Sequence, residues 1–216
     1  MISAQEALAR LKAGNLRFKS NKSDPDAVAS NTRRGQTINA QEPFAIILGC
    51  SDSRVPAEIV FDQGLGDLFV IRVAGNIVAP SLLGSVEFSA VTHGARLVVV
   101  LGHTHCGAID ATVSELKRPT DHRSPNLQSI VKRIQPSVQT LIDAGLEGDE
   151  DQLLSLATRA NVRASVSQLC HGSQILEDLI ANDGLKIVGA EYALETGEVD
   201  FFHQDELTHT TTAIEH

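Results

Sequence analysis

Three side chains of this 216-residue sequence stand out as able to do chemistry together: the thiols of Cys50 and Cys106 and the imidazole of His103. Cys50 follows the apolar run Ala45-Ile46-Ile47-Leu48-Gly49, and His103 and Cys106 follow Leu97-Val98-Val99-Val100-Leu101-Gly102. Two thiolates and one imidazole give the ligand count of a catalytic zinc site with one position left open, whereas a structural site normally closes with four ligands. His103 and Cys106 stand at i and i+3, which suits one turn closing on a metal. His105 offers a competing assignment; His103 is preferred because adjacent side chains diverge, carrying His105 away from Cys106. Spacing alone leaves a plainer reading open. A Cys at a strand end is commonly a small buried hydrophobe, and the long separation between Cys50 and His103 prescribes no geometry.

The string Cys50-Ser51-Asp52-Ser53-Arg54 adds a carboxylate two residues from the first proposed ligand and a guanidinium two further on. A planar Arg fork can hold a carboxylate bidentately. Such a pair would keep Asp52 oriented as the acceptor for the proton of a zinc-bound water, lower its pKa and keep it off the metal. The plain alternative is a surface ion pair of little worth.

The elements that must position these groups follow from the apolar pattern. Runs at 44–48, 68–73, 96–101 and 186–192 read as buried strands. Helical patterns at 81–92, 152–170 and 175–182 lie between them, and this alternation predicts parallel strands with covering helices. The segments 186–192 and 198–202 around Thr196-Gly197 predict a hairpin at the sheet edge. Both reactive clusters then fall just beyond carboxyl ends of strands, where open parallel sheets bind ligands. Ala4, Ala7, Leu8, Leu11 and Phe18 give an amphipathic amino-terminal helix ending near Gly14. Polar stretches at 19–40 and 117–126 read as loops, so the first helix is an arm able to pack on its own chain or on a partner. Cys170-His171 reads as the end of a long helix without chemistry, and His203, His209 and His216 as solvated residues.

Composition narrows the function classes. A net charge of -9, from 18 basic and 27 acidic residues, leaves no basic face for nucleic acid and is repelled by anionic lipid. No stretch reaches the roughly 20 apolar residues that span a bilayer. Three cysteines cannot all pair within the chain, which favours a reducing compartment. Residues 1–15 carry no apolar signal core, so the expected location is cytoplasmic.

Beyond these readings, two strings closely resemble the signature segments of the β-class carbonic anhydrases: Gly49-Cys-Ser-Asp-Ser-Arg-Val-Pro-Ala-Glu58 and Val99-Val-Leu-Gly-His-Thr-His-Cys-Gly-Ala108. Segments 7–18, 66–76 and 84–88 resemble that family's amino-terminal arm, its second strand and turn, and the helix before its zinc His. The resemblance implies an α/β fold with a central, mostly parallel sheet flanked by helices. It also implies an amino-terminal helical arm (1–40) that wraps a partner subunit and a zinc-binding catalytic domain (41–216), in homodimers that can pair into tetramers.

It implies, further, one Zn²⁺ per chain on Cys50, His103 and Cys106, a catalytic dyad of Asp52 and Arg54, and reversible hydration of carbon dioxide to bicarbonate by attack of zinc-bound hydroxide. By position, Gln41 matches a glutamine that hydrogen-bonds substrate across the dimer, and Phe69, Ala74 and Phe88 match the apolar pocket. Read without the family, Gln41 is a loop residue and Phe69 and Phe88 are core residues. Ile47 stands where the bicarbonate-regulated branch carries Trp, which weakens the expectation of that branch's anion site. Enzymes of the same fold that hydrolyse carbonyl sulfide or carbon disulfide share these ligands and this dyad. A closed, non-catalytic zinc module is the alternative from another class.

Overall fold

The aliphatic and β-branched runs become strands because both of their faces can be buried at once. The computed structural model describes residues 2–23, 31–119 and 124–203. Five strands form one sheet: β1 (Ala45–Gly49), β2 (Leu68–Arg72), β3 (Leu97–His103), β4 (Lys186–Tyr192) and β5 (Val199–His203). Their order is β2-β1-β3-β4-β5. The first four are parallel, and β5 runs antiparallel to β4 as the edge hairpin. The helices are α1 (Ala4–Lys19), α2 (Asn31–Gln36), α3 (Ala57–Val60), α4 (Pro80–Phe88), α5 (Gly107–Lys117), α6 (Pro125–Asp143), α7 (Glu150–His171) and α8 (Gln174–Asn182). No helix among the described residues is long and apolar enough to cross a membrane.

The period-two alternation of the strands builds a core on each face of the sheet. Ile47, Val99, Leu101, Val188 and Ala190 pack with Ala7 and Leu11 of α1 and Val60 of α3. On the opposite face Ile46, Leu48, Val98, Val100 and Ile187 pack with Val86 of α4 and Val162, Val166 and Leu169 of α7. A third apolar cluster lies around α5, α6 and the start of α7: Ile109, Val113, Ile134, Val138, Leu153 and Ala157, and it takes in Cys50 and Cys106. The two thiols thus sit where the carboxyl edge of the sheet meets this third cluster.

Several elements differ from the sequence expectation. The first helix does not stop near Gly14 but continues to Lys19. Gly14 is small for packing: a side chain there would run into the Phe61 carbonyl just after α3. The next residue, Asn15, is buried; its Nδ2 donates to the carbonyls of Val60 (3.1 Å) and Gly197 (2.8 Å), and its Oδ1 accepts from Val199 N (2.9 Å). Within the chain, then, α1 is tied to its own sheet. The helix expected at 81–92 is α4 prolonged by a π-helical turn, Ser89–His93, which stops at Gly94 in a left-handed conformation (φ 67°). Strand β3 reaches His103 itself. The segment read as a loop at 19–40 contains α2, and α5 and α6 are helices that the pattern did not single out. His209 and His216 lie outside the described residues.

Candidate metal centre

Strand register brings the donors together. β1 and β3 are neighbours with Gly49 opposite Leu101, so Cys50, one residue past β1, and His103, the last residue of β3, reach the same edge. The chain then turns through His105, which takes a left-handed conformation (φ 54°), and places Cys106 at the amino end of α5. The donor atoms of Cys50, His103 and Cys106 all lie within 4.8 Å of one another, and the two sulfurs are 4.0 Å apart. All three residues are at most 5% exposed.

The imidazole is presented with one nitrogen committed. Nδ1 of His103 is 2.8 Å from the Thr104 carbonyl, which makes Nδ1 the protonated nitrogen. Nε2 is buried without a hydrogen-bond partner. A bare imidazole nitrogen facing two sulfurs is the kind of orphaned polar atom that a metal satisfies, and the N/S donor set suits zinc. The turn that carries the ring is itself anchored: Thr104 N donates to the Tyr192 carbonyl (3.0 Å), Leu194 N donates to Thr104 Oγ1 (3.0 Å), and that hydroxyl donates to Glu195 (3.0 Å).

Electrostatics mark the pair of thiols as a unit. The Cys106 thiol offers a hydrogen bond to Cys50, which pulls Cys50 well below the usual thiol range against the cost of its burial. Cys106 is pushed up by Cys50 and by burial. The shared hydrogen bond thus favours the thiolate on Cys50 and the thiol on Cys106. Burial works against a charged His103, but its contacts with Cys50 and Thr104 outweigh that and raise its pKa.

Asp52 and Arg54 form the bidentate pair that the sequence suggested. Arg54 Nε is 2.9 Å from Asp52 Oδ1, Arg54 Nη2 is 2.7 Å from Oδ2, and the Arg54 backbone N–H also donates to Oδ1 at 2.9 Å. Arg54 holds the Asp52 carboxyl far below the usual carboxylate range. The same guanidinium donates to the His105 carbonyl (3.1 Å), and Arg72 fixes the loop from beneath through the carbonyls of Cys50 (3.0 Å) and Asp52 (2.5 Å). The competing histidine is not part of the cluster: His105 is exposed, with its Nε2 2.5 Å from Glu195.

The remaining expected site residues are placed less centrally. Ala74 opens the 3-10 turn Ala74–Asn76, whose Gly75 N–H reaches Cys50 Sγ at 3.3 Å. Phe69 and Phe88 meet each other (ring centroids 6.2 Å apart) and both meet His93; Phe69 packs with the face of the sheet that α4 and α7 cover, while Phe88 is exposed. Gln41 is exposed before β1. Sequence reasoning missed Arg72, Thr104, Glu195 and the Gly75 amide. Their contributions come through backbone groups or across distant segments, and no local pattern announces them.

Comparison with known proteins bears on this arrangement directly. A family model described as carbonic anhydrase matches residues 45–199. The carbonic anhydrase 2 of Mycobacterium tuberculosis is 37% identical over 191 residues, covering 87% of each chain. Among solved structures, a β-carbonic anhydrase of Aspergillus fumigatus superposes with a TM-score of 0.72 at 20% identity, covering 92% of this chain and 89% of that one. A tetrameric β-carbonic anhydrase of Sordaria macrospora superposes with a TM-score of 0.69 at 21% identity, covering 91% and 95%.

Proposed function

The chain belongs to the carbonic anhydrase family and is an enzyme of that kind; from that premise we propose that it hydrates carbon dioxide reversibly to bicarbonate and a proton, using one zinc ion held by Cys50, His103 and Cys106. The observation that carries this reading is the convergence of three buried donors within 4.8 Å, with His103 Nε2 bare among them. When bound, zinc supplies a Lewis acid that makes water a nucleophile near neutral pH. Asp52, kept anionic and aimed by Arg54, would accept a hydrogen bond from such a water and orient it.

The proposal extends to the substrate pocket and assembly. Phe88 is 52% exposed and Gln41 is exposed, which suits a pocket that Gln41, Phe69, Ala74 and Phe88 complete with a second copy. We accordingly assign residues 1–40 to the dimer contact and 41–216 to the catalytic unit of a homodimer that can pair into a tetramer. Three cysteines, none of them in a disulfide, support a reducing, cytoplasmic setting.

Stopped-flow hydration of carbon dioxide by zinc-assayed protein, beside Cys106→Ser, tests the reading. The expected result is fast turnover with about one zinc per chain, both lost in the variant. Zinc binding without hydration would redirect the assignment to carbonyl sulfide or carbon disulfide.

A further inference from the structure

The turn Ala74–Asn76 presents a backbone N–H to the sulfur of Cys50, and what holds that turn is not local. Gly75 takes a left-handed conformation (φ 72°) and is packed so closely that an added Cβ would lie 2.7 Å from Ile134 Cδ1 and 3.1 Å from Ala108 Cβ. Two side chains of α7, one helical turn apart, grip it from the other side. Asn161 Nδ2 donates to the Gly75 carbonyl at 2.8 Å, and Ser165 Oγ donates to the Asn76 carbonyl at 3.0 Å. Both side chains are 2% exposed. Helix α7 comes this near because β3 carries Gly102 beneath it: a Cβ there would lie 2.6 Å from Val162 Cγ2.

A buried Asn in a covering helix has many apolar substitutes if its role is only to fill space, since an unpaired amide there is costly. Here the amide is spent on one carbonyl, that of Gly75, and the N–H facing Cys50 belongs to the same residue, in the adjoining peptide group. Hydrogen bonds to a coordinating thiolate orient it and draw off electron density, and such outer partners typically change metal affinity by about 10- to 100-fold.

We propose that Asn161, seconded by Ser165, is a positioning residue for the metal centre: it fixes the Gly75 N–H on Cys50 Sγ and thereby sets how strongly that thiolate binds the metal. This rests on the reading of Cys50 as a zinc ligand.

The test uses the full chain loaded with zinc or, as a spectroscopic probe, cobalt(II). Asn161→Leu removes the donor at similar volume, Ser165→Ala removes the weaker support, and Val166→Ala, a buried neighbour in α7 that packs in the apolar layer over the sheet, serves as a control for lost stability. Expected for Asn161→Leu are about 10-fold weaker zinc binding in chelator competition and a shift of the thiolate-to-cobalt charge-transfer band to longer wavelength. Ser165→Ala moves both in the same direction by less and decides the matter alone if Asn161→Leu does not fold. Unchanged affinity and an unchanged band in the folded variants, or an equal loss in Val166→Ala, overturns the proposal. A wild-type protein with no thiolate-to-cobalt band overturns the zinc reading first, and this inference with it.

Discussion

Oδ2 of Asp52 lies 3.9 Å from Nε2 of His103 while Arg54 holds both oxygens of the same carboxylate. A rotation of the Asp52 side chain would bring an oxygen toward a metal held on that nitrogen, and the contacts to the guanidinium would oppose the rotation. Arg54→Ala is expected to keep its zinc and lose hydration by about 100-fold or more as Asp52 occupies the open position. Stopped-flow assay beside zinc analysis checks this, and undiminished turnover would reduce the pair to a surface contact.

The same pair predicts a signed response to acid. Because Arg54 lowers the folded-state pKa of Asp52, the stability it contributes is fully present above the unfolded value of about 4 and is lost as pH falls through the folded value. The urea midpoints of the wild type and Asp52→Asn should accordingly differ most near neutral pH and converge on acidification. A gap that widens toward acid reverses the sign and rejects the assignment.

Activity should rise with pH as well, for a different reason. Two thiolates cancel the formal charge of a zinc dication, so water bound there is acidified less than at a three-imidazole site. The hydration rate is expected to climb between about pH 6 and about pH 9, and a flat profile over that range counts against the donor set.

Asn15 should matter far more than a polar helix residue normally does. It satisfies one buried and one partly buried carbonyl and one buried amide, drawn from the end of α3 and the β4–β5 hairpin. Asn15→Ala leaves those groups unpaired and is expected to cost about 2–4 kcal/mol in chemical denaturation. A change under about 0.5 kcal/mol would mean that water replaces the side chain.

The strands were legible because a run such as Leu97–Leu101 has no polar position to place in solvent, and a run of that kind is a strand buried on both faces. Cys50 and His103 were legible as donors for the same reason: each follows such a run, and adjacent parallel strands carry their ends to one edge. Gly14 misled, because a glycine that lets a helix approach a backbone looks in sequence like one that ends a helix. Helix α6 was passed over although Ile130, Ile134, Val138 and Leu141 recur at helical spacing; it also carries Pro136, on its exposed side. The grip of Asn161 on Gly75 spans 86 residues, and nothing short of the tertiary fold could reveal it.

The donors stand at the ends of strands whose packing on either side is complete without them. The two apolar layers that flank the sheet include neither thiol nor the imidazole, and Cys50 cannot meet His103 until β1 and β3 have paired. This arrangement predicts that a metal would be captured by a scaffold already built. Stripping with a chelator should consequently leave the far-ultraviolet circular dichroism intact, and readdition of zinc should restore turnover without a refolding step.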